Sequence, residues 1–467
     1  MVDLNAREPA VVIAGGGPTG LMLAGELALA GVDAVVVERR ASVDLDGARA
    51  RGLHSRSIEV LDQRGIAERF LSEGQTAQIT GFSWIPLHMS DLPTRHPYGL
   101  ALEQRHVERI LAEWVTELAV PVIRGQDVIR FRQDATAVGV ELSGGTQLRA
   151  QYLVGCDGGR SLVRKIAGID FAGWDASTSS LIAEVEMSEE PAWGLHRDQT
   201  GPYAFAKAES GLIGVVVGEQ HVGETTEPTL ADLSGALIAV CGTDYGLHRA
   251  AFISRFTDMA RQAVAYREGR VLLAGDAAHV HSPMGGQGLS TGLQDAVNLG
   301  WKIAQVVRGA SPQSLLETYH TERHPVAARV LQTNMAQNAL IRSDARVDAL
   351  RGILSDVLTL DQPRQHIAAM MSGLDIQYDL GEGHPLLGRR MPDVDLVTAD
   401  GATRLFALLH KARPILLSLE EPDRIDLTGW QERVQLVEGR SEGPWELPLV
   451  GPVPRPKAVL IRPDGHV

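Results

Sequence analysis

Cysteine is nearly absent from this chain: two in 467 residues, Cys156 and Cys241. Neither sits in a CxxC pair, so a disulfide framework and a structural zinc site are both excluded, and a reducing compartment is expected. Lysine is scarce as well. Only five of the 44 cationic residues are lysine, and 58 acidic residues outweigh them to a formal charge of −14. That balance offers no basic footprint for nucleic acid or an anionic membrane. No apolar run reaches the ~18–20 residues of a membrane span. The N-terminus lacks the basic-then-apolar pattern of a secretory signal. What remains is a cytoplasmic, globular chain, 44% hydrophobic, with length for two or three domains.

Residues 13–38 read IAGGGPTGLMLAGELALAGVDAVVVE. An apolar run, 10–14, leads into Gly15-x-Gly17-x-x-Gly20, then a helical pattern, then a second apolar run ending on Glu38. This is the βαβ layout of a dinucleotide site. Gly15 permits the tight turn, Gly17 lets the backbone approach a pyrophosphate, and Gly20 lets the helix pack close to the sheet. Pro18 and Thr19 fall in the same turn, at a helix N-terminus whose free N–H groups attract phosphate. Glu38 follows the glycines by about 20 residues, where a carboxylate accepts the ribose hydroxyls of an adenosine. Arg39 is a candidate neighbour of the adenine or phosphates.

Two later segments narrow the choice of dinucleotide. In 152–164 a strand ends at Asp157-Gly158-Gly159-Arg160 and a helix starts with Ser161. In 270–298 a buried strand (271–274) ends in Gly275-Asp276; a loop with Pro283, Gly285 and Gly286 follows, and a helix begins near Gly288. Asp276, a carboxylate at a strand end, suits an extended polyol chain. The N–H groups of Gly285–Leu289, with Gly286, Gln287 and Gly288 between, suit the carbonyl side of a flavin ring.

With 50–60, 61–65 and 384–388, these segments make the chain resemble the single-component FAD-dependent aromatic hydroxylases, the class A flavoprotein monooxygenases, over nearly its whole length. It is most similar to the hydroxylases of aromatic polyketides (angucyclines, anthracyclines), with the rifampicin monooxygenases next. The resemblance implies an α/β fold with a Rossmann-like FAD-binding domain of the GR2 type, a β-rich substrate domain and a small thioredoxin-like C-terminal domain. It also implies bound FAD, NADPH or NADH docking transiently (no second GxGxxG is present), and O2 as co-substrate. Oxygen transfer to a large aromatic phenol or quinone would run through a C4a-hydroperoxyflavin.

Several residue roles come with the resemblance. Arg51 matches the arginine that holds the flavin phosphate or ring region, with Arg49 as the alternative. Gln104 matches a position near the ribityl chain. Asp157 and Arg160 match the segment near the pyrophosphate and the route of NADPH, and Pro283 matches the proline flanking the ring. Backbone donors at Gly285–Leu289 would stabilise negative charge there. Oxygen transfer itself needs no nucleophile or triad. His281 is a candidate acid, set against the commoner packed or hydrogen-bonded histidine, and His54 and His279 are further titratable neighbours. Tyr319, Glu322 and Arg323 match the family's YxxER segment, read as packing and salt bridging.

Three rival functions stay open: a rifamycin-inactivating monooxygenase, a Baeyer–Villiger or epoxidising variant, and a flavoprotein that steers a reactive intermediate. A plain NAD-dependent dehydrogenase does not account for the two later motifs. Phe82-Ser-Trp84-Ile85-Pro86 faintly resembles a segment of flavin halogenases, but the first tryptophan is absent and the first lysine is Lys165.

The organisation expected along the chain is an FAD-binding domain over 1–174 and 266–372, a substrate domain over 175–265 with contributions from 75–103, and a C-terminal domain over 390–467. Strands are expected at 128–131, 138–142, 147–153, 180–186, 203–205 and 212–217. Helices are expected at 55–65 and 107–118, with one long helical stretch at 315–371. The C-terminal domain has no cysteine, so it cannot do thiol–disulfide chemistry, and the family pattern would add a strand after 462–467. The protein is expected to act as a monomer or homodimer.

Overall fold

The computed structural model describes residues 8–44, 50–223, 226–419, 427–431 and 433–467. Strand β1 (Val11–Ala14), helix α1 (Pro18–Leu29) and strand β2 (Ala34–Glu38) form the expected unit. Proline at the first helical position suits the start of α1, where an N–H has no partner to lose. Gly15 has φ +107°, and a Cβ there would lie 2.3 Å from the Cys156 carbonyl oxygen. A Cβ on Gly20 would lie 2.0 Å from the Gly15 oxygen. Both glycines are therefore required by space.

Further along come α2 (Ser55–Asp62), α3 (Gln104–Glu117), β3 (Val122–Arg124) and β4 (Tyr152–Gly155). Next are β5 (Ser179–Met187), β6 (Gly194–Asp198), β7 (Gly201–Lys207), β8 (Ile213–Gly218), α4 (Leu230–Cys241) and β9 (Leu247–Thr257). Strands β10 (Arg267–Glu268) and β11 (Val271–Leu273) precede the long helix α5 (Gln287–Val307).

Six strands make one sheet in the order β10-β11-β4-β1-β2-β3. All pairings are parallel except β10 with β11. Its inner strands are buried on both faces and read as unbroken Val/Ile/Leu runs, as parallel strands do. Helix α5 crosses α1 closely because Gly292 and Gly300 carry no Cβ; one there would lie 2.4 Å from Thr19 Oγ1 and 2.6 Å from Glu26 Cβ respectively.

A second sheet, antiparallel, runs β6-β7-β8-β5-β9. One face packs Leu181, Ala183, Val185, Val215 and Val217 against Leu233, Leu237 and Val240 of α4. By strand alternation Ile182, Glu184, Gly214 and Val216 belong to the other face. A Cβ on Gly214 would meet the Arg51 guanidinium at 2.9 Å, so that face looks toward Arg51.

Three expectations are corrected. The run 147–153 is two strands, 147–150 and β4, in different sheets. The stretch 315–371 breaks into α6 (Glu317–Ile341), α7 (Ala345–Val357) and α8 (Asp361–Ser372). Asp344 caps α7 by accepting the Arg346 N–H, which starts a separate helix within the expected helical stretch. The helix expected at 107–118 begins at Gln104.

The C-terminal part holds a mixed sheet of β12 (Asp395–Thr398), β13 (Gly401–Arg404), β14 (Ile415–Ser418), β15 (Gln435–Arg440) and β16 (Ala458–Ile461), in the order β13-β12-β15-β14-β16. Its own core is built on Leu405, Phe406, Ile415, Leu417, Trp445 and Ile461. Among the described residues no helix is long and apolar enough to cross a membrane.

Candidate active site

The nucleotide end of the site is preorganised around Glu38. Its carboxylate accepts the Gly16 N–H at 2.7 Å and the Arg40 N–H and Nε–H at 2.8 and 3.0 Å. Burial pushes the Glu38 pKa up, but these donors outweigh it and hold the carboxyl below its ordinary value, ionised and ready to accept. Arg39 is exposed; it is the next residue, Arg40, that turns back on Glu38. Arg40 also donates to Glu108 (2.7 Å), as does Gln104 (2.7 Å), so Gln104 stands at the first turn of α3 beside this cluster. Arg40 Nη1 is buried without a partner.

Asp157 caps the short helix 162–166, accepting the N–H groups of Leu162 and Val163 at 2.8 and 3.0 Å. Its other oxygen, Oδ1, is buried and unpartnered. Arg160 is exposed. Arg51 is exposed too and lies against Gly214 of the antiparallel sheet. Arg49, the alternative, lies outside the described residues.

The turn after β11 carries the third motif. Gly275 and Ala277 are buried, while Asp276 between them is exposed. The turn is held from behind by Asp295, fully buried, which accepts the Gly275 N–H (3.2 Å), His279 Nε2–H (2.6 Å) and Arg323 Nε–H (2.8 Å). Burial alone would raise the Asp295 pKa; Arg323 and His279 outweigh it and lower it.

His281, Gly288 and Asp276 converge. A Cβ on Gly288 would lie 3.7 Å from His281 Nε2 and 4.0 Å from Asp276 Oδ1. His281 Nδ1–H donates to the Ser282 carbonyl (2.7 Å), and its buried Nε2 has no partner. Burial, with His279 nearby, keeps its pKa below the ordinary value, so the ring is neutral at pH 7. Gly285 and Gly286, at φ +78° and +64°, carry the chain into α5, and Pro283 and Gly286 are exposed. His54 Nε2–H donates to the Gly285 carbonyl (2.9 Å), and burial lowers its pKa as well. Leu289, in the first turn of α5, packs on the main core.

The Gln287 side chain turns the other way, toward the Met370 and Met371 carbonyls (3.4 and 3.3 Å). There it lines a small cleft with His54, Thr291, Arg329, Thr333 and Met371.

These atoms fit FAD. From the Glu38 end to Gly285 they offer an unpaired buried donor (Arg40 Nη1), two unpaired buried acceptors (Asp157 Oδ1, His281 Nε2) and an exposed carboxylate, Asp276. A bound polar ligand or ordered water satisfies buried groups of this kind. Among the described residues no group of His, Cys, Asp and Glu could hold a metal ion.

Sequence reasoning missed Arg40 and Asp295. Arg40 had a signal in its i, i+2 spacing from Glu38, but Asp295 had none, since its partners lie 16 to 28 residues away. Tyr319, Glu322 and Arg323 pack as expected. The Tyr319 hydroxyl donates to the Leu273 carbonyl (2.8 Å), and Glu322 pairs with Lys302 (2.9 Å) and Arg462 (2.7 Å).

Residues 8–334 match the family described as FAD binding domain, and 384–467 match the aromatic-ring hydroxylase C-terminal family. The chain is 43% identical over 470 residues to rifampicin monooxygenase of Streptomyces venezuelae, covering 98% of this chain and 94% of that one. The solved structure of OxyS anhydrotetracycline hydroxylase from Streptomyces rimosus is 41% identical, with TM-score 0.92 over 98% of this chain and 95% of that one. CabE, an aromatic hydroxylase from angucycline biosynthesis, is 40% identical with TM-score 0.92 over 99% and 95%.

Proposed function

The chain belongs to the FAD-binding aromatic-ring hydroxylases, and from that membership we propose that this FAD-dependent monooxygenase oxygenates a large polycyclic phenol or quinone of the aromatic polyketide class. The observation that carries the reading is the line of unpaired buried polar atoms from Arg40 to His281, together with relatives named for rifampicin, anhydrotetracycline and angucycline chemistry.

Bound FAD supplies a hydride acceptor for NADPH (NADH is the alternative) and, once reduced, the site of O2 activation. The chain's own groups do the rest. Glu38 and Arg40 hold the adenosine end, and Gly15, Gly17, Pro18, Thr19 and Gly20 bring backbone to the pyrophosphate. Asp157 and Arg160 would flank it, Arg51 would hold the flavin phosphate or ring region, Gln104 would border the ribityl chain, and Asp276 would accept its hydroxyls. Gly285, Gln287, Gly288 and Leu289 would present backbone N–H groups at the start of α5, where negative charge would be stabilised, while Gly286 shapes the turn with its own N–H on the Pro283 carbonyl. Pro283 flanks the ring. His281, neutral with Nε2 free, is placed to accept a hydrogen bond or a proton.

Substrate lies between this turn and the open face of the antiparallel sheet, against Ile182 and Val216. Shielding from water there would favour oxygen transfer to the substrate over uncoupled reaction. The substrate domain spans 175–265 and the FAD domain 1–174 and 266–372. The C-terminal unit, 390–467, is a thioredoxin-like scaffold without redox cysteines. The protein works in the cytoplasm as a monomer or homodimer.

The test is NADPH oxidation by the purified protein in air, with and without a panel of polyketide phenols and rifamycins, followed by product mass. Strong stimulation by one chemotype and a gain of one oxygen support the reading. A slow rate that no ligand changes overturns it in favour of a flavoprotein that steers an intermediate. The identity to rifampicin monooxygenase favours rifamycins as the second chemotype, and product structure separates hydroxylation from Baeyer–Villiger insertion or epoxidation.

A further inference from the structure

We propose that Asn334 is a positioning residue for the flavin ring: it holds the Met284–Gly285 peptide with its carbonyl toward α6 and its N–H on the opposite, exposed side of the turn. This rests on the reading that Gly285–Leu289 meets the ring.

Gly286 N–H donates to the Pro283 carbonyl at 3.0 Å, which closes a four-residue turn. Its third residue, Gly285, has φ +78° and ψ −4°, and Met284 has no positive φ. This is a type II turn. Types I and II differ by a flip of the central peptide, here Met284–Gly285, and glycine at the third position admits both.

The choice is made from α6. Asn334, fully buried, donates through Nδ2 to the Met284 carbonyl (2.8 Å) and the Ser282 carbonyl (2.9 Å). Its Oδ1 accepts from Ser282 Oγ (3.1 Å) and Asn338 Nδ2 (2.9 Å), which fixes the amide with nitrogen toward the turn. In a trans peptide the N–H points opposite to the C=O. With the Met284 carbonyl turned to Asn334, the Gly285 N–H points away from α6, to the side where Pro283 and Gly286 are exposed.

Gln337, on the same helix face, closes the arrangement. A Cβ on Gly285 would lie 2.8 Å from Gln337 Nε2 and 2.7 Å from Met371 Cε. Gln337 Oε1 in turn accepts the Ser83 N–H at 3.0 Å. A flipped peptide would aim a carbonyl oxygen at the carbonyl edge of the ring and remove one acceptor from the buried Asn334 amide.

Asn334→Leu deletes the donor. Asn334→Asp keeps the size but faces two carbonyls with an acceptor. Apoproteins of both and of wild type are titrated with FAD, and the midpoint potential of the bound flavin is measured, with circular dichroism and melting as the check on folding. The expected result is FAD binding at least about tenfold weaker and a more negative potential, from loss of a donor that favours the reduced anion. Unchanged affinity and potential in a folded variant overturn the proposal.

Should neither variant fold, a crystal structure of the wild-type holoprotein decides. Gly285 N–H within hydrogen-bond distance of a ring atom supports the proposal, and the Met284 carbonyl facing the ring overturns it. A ring bound away from 283–289 would instead refute the reading of the site itself.

Discussion

Asp295→Asn is the sharpest perturbation of the network behind the turn at Gly275. The carboxylate takes three donors on two oxygens: Arg323 Nε–H on Oδ1, and His279 Nε2–H with the Gly275 N–H on Oδ2. An asparagine has one acceptor oxygen, so its NH2 must face either the guanidinium or the imidazole and amide. Arg323 is fully buried and would lose its counter-charge. Breaking one side of a buried pair costs about 3–5 kcal/mol. With an unfolding entropy of about 2.1 cal/mol/K per residue, a chain of this length loses about 1 °C of Tm per kcal/mol, so the shift expected is about 3–5 °C.

The assay is calorimetry of the apoprotein at pH 7.5, wild type against D295N, R323M and the double variant. The double variant should lose clearly less than the sum of the singles, because it leaves no unpaired charge. The pH dependence has a definite sign. The folded Asp295 pKa lies below its unfolded value near 4, so its contribution is full above that value and drains as pH falls toward the lower folded one. D295N should flatten the acid limb. A melting point within about 1 °C of wild type, with additive singles, would refute the claim that this network holds the turn.

Asp276→Ala should strip FAD. An exposed carboxylate accepting hydroxyls contributes roughly 1.5–3 kcal/mol, or about 10–100-fold in affinity; stoichiometric flavin after dialysis would contradict the assignment. Cys156 and Cys241 are free thiols, with burial pushing Cys156 well up and Cys241 up to about 11. Native protein treated with iodoacetamide at pH 8 should stay unlabelled by mass, and the C156S/C241S variant should turn over normally; fast labelling or lost turnover would show a role for thiol chemistry. His466 is buried and its pKa is depressed to about 4, chiefly by burial, with Asp464 opposing. Its contribution is full above about 6.5, the ordinary histidine value, and drains as pH falls from there to about 4. Urea midpoints at pH 7.5 and 5 should diverge more for wild type than for H466Q, and equal divergence would count against a neutral buried His466.

What could be read ahead from the sequence was what neighbours along the chain determine. The turn at Gly15–Gly20 is legible because each glycine answers a local steric demand, and Glu38 because a strand of fixed rise separates it from that turn. The helix expected at 107–118 starts three residues early, since apolar spacing marks only its buried face and Gln104 enters through a polar contact with Glu108. The run 147–153 was misread as one strand because alternation says nothing of which sheet a strand joins.

The illegible part has one physical form: a buried polar residue that serves a polar group far away in sequence. Asn334 acts on a carbonyl 50 residues back, and Asp295 joins partners 16 and 28 residues away. Asn298 reaches Asp464 across 166 residues, and Arg64 reaches the Pro463 carbonyl across 399. Asn298 carries the C-terminal unit onto α5, and Arg64, which also pairs with Glu26, carries it onto α1. A polar side chain facing inward on an otherwise apolar helix must find a partner to satisfy it. On α5 and α6 those partners are the turns at Gly275 and Met284 at one end and the C-terminal hairpin at the other. Both ends are therefore tied to the same two helices, which connects the C-terminal unit mechanically to those turns.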